Sequence, residues 1–145
     1  MSGRIFIMRR DIMTESASRT QAGAIMGTPS YMPPEQASGL AREVDARSDV
    51  YALGATLYHV LAGRPPFVAE DVVTLLRAVV EDEPPPLASD VPRDLARVVM
   101  RCLEKDKARR YPSAAALADD LENWFAGRPV VARAPGLAYR CAKWG

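Results

Sequence analysis

Ser48-Asp49-Val50-Tyr51-Ala52-Leu53-Gly54-Ala55-Thr56-Leu57-Tyr58-His59-Val60-Leu61-Ala62, closed by Gly63-Arg64-Pro65-Pro66, is the strongest helix-forming stretch of the chain. Ser48 offers an N-cap hydroxyl, and Asp49 puts an anion in the first turn, where the helix dipole favours one. Gly63 and the two prolines then stop the helix. Val50, Tyr51, Leu53, Ala55, Leu57, Tyr58, Val60 and Leu61 cover nearly every face rather than one stripe. A helix that is apolar all round is one that other elements surround. The spacing therefore predicts a central post over residues 48–62, buried on all sides. His59 lies within this apolar run and is expected to be a packed, hydrogen-bonded side chain rather than a ligand or a base.

Working outward, Pro33-Pro34 suits the first turn of a short helix at Pro34–Ala37, and Gly39 ends it. On the other side, Val72, Val73, Leu75, Leu76, Val79 and Val80 make an amphipathic helix that runs into Glu81-Asp82-Glu83 and a triple proline. After Pro92, the residues Leu95, Val98, Val99, Cys102 and Leu103 recur at i, i+3, i+4, i+7 and i+8, a single apolar stripe. A last helix begins after Ser113, sets Leu117, Leu121, Trp124 and Phe125 on one face, and stops at Gly127. No run alternates as a strand does, and no internal repeat is visible. The predicted fold class is mainly α.

Composition limits the function classes. The chain has 145 residues, 48% hydrophobic and 26% charged, enough for one domain that buries roughly two thirds of its unfolded surface. Its 19 basic and 18 acidic residues, net +1, are spread evenly, so no basic footprint points to nucleic acid. Cys102 and Cys141 are far apart and accompanied by one histidine, which indicates neither a metal site nor a disulfide framework. A reduced, cytoplasmic setting is expected. The apolar part of Arg4-Ile5-Phe6-Ile7-Met8-Arg9-Arg10 is too short for a signal peptide, and no other run has the length needed to span a bilayer.

Three runs in order, Gly27-Thr28-Pro29-Ser30-Tyr31-Met32-Pro33-Pro34-Glu35-Gln36, Ser48-Asp49-Val50-Tyr51-Ala52-Leu53-Gly54 and Arg109-Arg110-Tyr111-Pro112-Ser113, resemble the large lobe of a serine/threonine protein kinase from its activation segment onward. The likeness is closest to bacterial kinases of the eukaryotic type and covers residues 14–128. It implies a helical large lobe without the β-rich small lobe, residues 1–13 being an unassigned leader and 129–145 a basic linker or tail. By this resemblance Glu35 is the acidic residue of the A-P-E motif, with proline for alanine before it, and Arg110 is the arginine that forms a buried ion pair with it. Asp49 matches the aspartate that accepts hydrogen bonds from the catalytic-loop backbone; without that loop it is a helix-start anion worth about 0.3–1 kcal/mol. Gly27, Thr28 and Tyr31 fall in the substrate-receiving segment, where Thr28 matches the threonine that helps orient the catalytic aspartate and lysine. Thr20, then Ser18 and Ser16, lie where the family is phosphorylated; a phosphate there adds about 1.5–2 negative charges and orders the loop through arginines. Without such arginines these are loop hydroxyls.

The departures matter as much. The sequence has no Gly-rich loop, no strand lysine paired with a helix glutamate and no Asp-Phe-Gly, the groups that hold ATP and Mg²⁺ in the intact family. Arg9-Arg10-Asp11-Ile12 echoes the catalytic His-Arg-Asp run, but Met13 and Ser16 stand where the mechanism uses lysine and asparagine, so the echo is a coincidence. Whether the chain is an enzyme is thus left open: no catalytic residue, cofactor or metal ligand is expected in it. Two readings remain. One is a truncated large lobe of an ATP-dependent serine/threonine kinase, inactive alone. The other is a noncatalytic, pseudokinase-like module that binds a protein substrate or a kinase through the face around residues 66–86. In either, apolar surface along residues 50–61 left uncovered predicts self-association.

Overall fold

The computed structural model of the chain describes residues 29–132. Five α-helices follow one another: α1 (Pro34–Ala37), α2 (Ala46–Ala62), α3 (Val72–Glu81), α4 (Arg93–Cys102) and α5 (Ala114–Phe125). Short 3₁₀ turns at Pro29–Tyr31, Ala41–Glu43 and Lys107–Arg109 complete the order, and the described residues contain no strand. The fold is mainly α, as the apolar periods require.

Helix α2 begins earlier than Ser48. Asp45 is its N-cap, accepting a hydrogen bond from the Arg47 amide at 3.0 Å, while Ser48 Oγ accepts from the Asp45 amide at 3.1 Å. This reciprocal capping box places Ser48 inside the first turn, because Asp45 is the better anion for the orphan amides and the serine hydroxyl is engaged elsewhere. Asp49 remains in the first turn.

The core is built on α2 but does not surround it. Val50 packs with Val98, Cys102, Tyr111 and Leu117, whereas Tyr51, Ala55 and Tyr58 pack with Val99 and Leu103. Helix α4 thus lies along α2, and Gly54 permits the approach: a Cβ there would stand 2.2 Å from the Cys102 Cβ. Burial of Cys102 pushes its thiol up to about 12, so it is an inert core residue. A third cluster of Phe67, Leu75 and Val79 joins α3 to α1.

Burial on every side does not hold for α2. Thr56 and Ala62 are exposed, Leu53, Leu57 and Leu61 are half-buried, and Val60 is 76% exposed. Val60 faces away from the core, while Tyr58 and Leu61 on either side of it pack against the Val99–Leu103 cluster. Along residues 50–61, Val60 is the exposed large apolar side chain.

Helix α5 also departs from its predicted face. Leu117 is buried and Leu121 and Trp124 are half-buried, but Phe125 is 86% exposed. Gly127, at φ 75°, turns the chain away in the left-handed region, with the Arg128 amide donating to the Asn123 carbonyl at 2.8 Å.

Candidate functional site

The polar centre of the molecule lies where the segment before α1, the start of α2 and the turn after α4 meet. Pro34 at the first helical position sets Glu35 in the single turn of α1, and its side chain points inward against Ser48 and Arg110. Arg110 follows the 3₁₀ turn Lys107–Arg109, which Asp106 caps by accepting from the Ala108 amide at 2.9 Å.

Glu35 and Arg110 form a two-pronged pair, Nη1 to Oε2 at 2.8 Å and Nη2 to Oε1 at 2.9 Å. Their side chains are 5% and 0% exposed. Arg110 also donates from Nε to the Glu104 carbonyl, from Nη2 to the Lys105 carbonyl and from Nη1 to the Arg47 carbonyl. All five N–H groups of the guanidinium are therefore used, and its Cζ lies 5.1 Å from the Tyr51 ring centroid. Ser48 Oγ donates to Glu35 Oε2 at 2.6 Å. Burial alone would raise the Glu35 carboxyl, but the hydrogen bonds from Arg110 and Ser48 and the guanidinium charge outweigh it and hold the carboxyl below the usual range.

Tyr31 and His59 form a second contact between the segment and α2. The Tyr31 hydroxyl is hydrogen-bonded to His59 Nδ1, and the two rings stack with centroids 5.9 Å apart at 16°. His59 is a packed residue whose ring nitrogen holds the tyrosine. Asp49 is half-buried at the start of α2. Gly27, Thr28, Thr20, Ser18 and Ser16 lie outside the described residues.

One network escaped the reading of the sequence. Asp120 of α5, 1% exposed, accepts from the Tyr111 hydroxyl at 2.5 Å, the Val131 amide at 2.7 Å and the Ala132 amide at 3.0 Å. Burial pushes the Asp120 carboxyl up, and these donors more than compensate, so it sits below its ordinary value. The signal was present: Asp120 falls on the Leu117–Leu121 stripe, where a carboxylate must find internal donors.

Chemically, this arrangement fixes backbone. Glu35 and Asp120, the buried carboxylates among the described residues, are saturated with donors, and neither is placed as a base. No group of three His, Cys, Asp or Glu side chains able to hold a metal ion occurs among the described residues. No helix among them is long and apolar enough to cross a membrane.

Comparison with known proteins places this geometry. The family model described as "Protein kinase domain" matches residues 11–122. The chain is 42% identical over 127 residues to the serine/threonine-protein kinase PknB of Mycobacterium tuberculosis, covering 86% of this chain and 20% of that protein. Against PknB of Mycobacterium leprae it is 40% identical over 120 residues, 81% of this chain and 19% of the relative. The DNA damage-responsive serine/threonine-protein kinase RqkA of Deinococcus radiodurans is 51% identical over 102 residues, 68% of this chain and 15% of its own. The chain spans a fifth or less of each relative's length.

Proposed function

The chain belongs to the protein kinase domain family, and on that premise we propose that it forms the helical large-lobe frame of an ATP-dependent serine/threonine protein kinase and transfers no phosphate by itself. The observation that carries this reading is the buried Glu35–Arg110 pair. It ties the end of the substrate-receiving segment to the turn before α5, and the Tyr31–His59 contact ties the same segment to α2. Such contacts position a protein substrate; they supply no charge to a transferring phosphoryl group.

Phosphoryl transfer needs a lysine on the phosphates, acidic side chains on Mg²⁺ and an aspartate beside the substrate hydroxyl. The reading is supported by the sequence, in which no Gly-rich loop and no Asp-Phe-Gly occur. No step through ATP or Mg²⁺ is assigned to this chain. Its part in the reaction is to hold a serine- or threonine-bearing protein for groups outside it. The reading includes residues 14–128 as the kinase-like unit, Thr28 beside the substrate, Thr20, Ser18 and Ser16 as phosphate acceptors, and a cytoplasmic setting, which the free, buried Cys102 supports.

A transfer assay with radiolabelled ATP, Mg²⁺ and a generic protein substrate tests it. No incorporation above background is expected; stoichiometric labelling of the substrate or of the chain would overturn the reading. A second reading, a noncatalytic binding module, is favoured by Val68 and Val73, 67% and 77% exposed on the face that leads into α3. A stable equimolar complex of the chain with a kinase or kinase substrate, lost on Val73→Asp, would select it.

A further inference from the structure

Helix α5 carries a surface that the kinase reading leaves unused. Leu121, Glu122, Trp124, Phe125, Ala126 and Arg128 line an open groove of about 470 Å³ at its C-terminal end. Phe125 is 86% exposed, more than any other large apolar side chain among the described residues. An aromatic ring left in water beside an apolar groove is a surface that gains free energy when both are covered.

The described residues that follow α5 leave this surface open, because they depart on the other side of the helix. Gly127, at φ 75°, turns the backbone off α5, and Asp120 then takes the Val131 and Ala132 amides. At 3.6 residues per turn, Glu122 and Phe125 stand about 140–160° round the helix from Asp120, away from the segment held there. The rim of the groove carries one charge of each sign. Glu122 is exposed, and so is Arg128, whose Nε donates to Asn123 Oδ1 at 3.1 Å, a bond that holds the guanidinium beside the last turn of α5. A strongly acidic or basic partner would match one of these charges and oppose the other. The partner that fits presents an apolar side chain and the same two charges in exchanged positions, and a second copy of this groove does so. Phe125 stands three residues after Glu122 and three before Arg128, so a two-fold axis beside Phe125 sets each Glu122 against Arg128 of the other copy. With a net charge of +1, two copies repel each other little.

We propose that the chain forms a two-fold symmetric dimer through the end of α5, Phe125 of each copy seating in the groove of the other against Leu121 and Trp124, with Glu122–Arg128 pairs closing the rim. Such a contact is isologous: it uses one self-complementary patch twice and ends at two copies. It covers a single helix end on each copy, which puts it at the small end of specific interfaces, below about 1,200 Å² in total, so the dimer is reversible. The proposal goes beyond the kinase reading and does not depend on phosphate transfer.

Analytical ultracentrifugation of the full-length chain, over a concentration series reaching about 1 mM, tests it, with helical circular dichroism read on every variant. The parent chain is expected to pass reversibly from monomer to dimer, and Phe125→Asp, at an exposed position, to stay monomeric with unchanged helicity. Glu122→Arg and Arg128→Glu are each expected to raise the dissociation constant at least about tenfold by setting like charges face to face. Combined in one chain, they restore it to within about threefold of the parent, a rescue that nonspecific apolar contact does not give. A parent chain that stays monomeric throughout, a dimer that survives Phe125→Asp, or a charge exchange without rescue would each overturn the proposal. Loss of the dimer on Val73→Asp would overturn it in favour of the α3 face.

Discussion

Arg110 donates through all five of its N–H groups, two of them to Glu35 and three to backbone carbonyls at Arg47, Glu104 and Lys105. Removing one partner of so buried a pair leaves an uncompensated charge, so Glu35→Ala and Arg110→Ala are each expected to cost about 3–5 kcal/mol in chemical denaturation. A loss below 1 kcal/mol in either would deny the pair its structural role. Tyr51 behaves in the opposite sense. Its hydroxyl is buried with no hydrogen-bond partner among the described residues, and burial pushes its titration well above the ordinary tyrosine value. Tyr51→Phe is therefore predicted to be neutral or stabilising by up to about 1–3 kcal/mol. Glu35 and Asp120 govern the acid response: both carboxyls are held below their unfolded values, so their stabilisation is complete above about pH 4.5 and is lost as pH falls through the lower folded values. Melting temperature should fall steeply below pH 4.5, and Asp120→Asn should flatten that fall. Little of this was legible from local pattern. Glu35 and Arg110 stand 75 residues apart, and only the ordered motifs paired them; Asp120 could not be told from its neighbour Asp119 without deciding which one the stripe buries.

At the scale of elements, Pro34 located α1 and the apolar periods located α3, α4 and α5, with Pro92 and Ser113 marking the starts of the last two. The start of α2 was misplaced because two good caps, Asp45 and Ser48, compete within one turn. The structure uses both, one as the cap and one as its reciprocal partner. Burial was the less legible property. Apolar residues on every face of α2 imply a surrounded helix, yet the packed helices cover one side of it and Val60 faces water. Phe125, the last residue of α5, also faces water. The contact of α2 with α4 gives the sharpest check. Gly54→Ala drives a methyl group to 2.2 Å from the Cys102 Cβ, both atoms lying on helix backbones that cannot yield by a rotamer change. We expect a loss of about 1–3 kcal/mol from overpacking, relieved in part by Cys102→Gly; stability equal to that of the parent chain would mean that α2 and α4 are not in this register.

For the molecule as a whole, helices gathered about α2 hold two polar clamps. The Glu35 clamp fixes the segment entering the domain, and the Asp120 clamp fixes the segment leaving it. Neither contains a group left free for proton or phosphoryl transfer, which is the physical content of the proposal that this chain frames a kinase substrate site and leaves the chemistry to residues it does not contain. The most direct measurement is a calorimetric titration of Mg-ATP into the purified full-length chain, with folding verified by circular dichroism in the same buffer. The account predicts no saturable heat at any ATP concentration reached, whereas saturable one-to-one binding would show that the chain holds the phosphates and would contradict it.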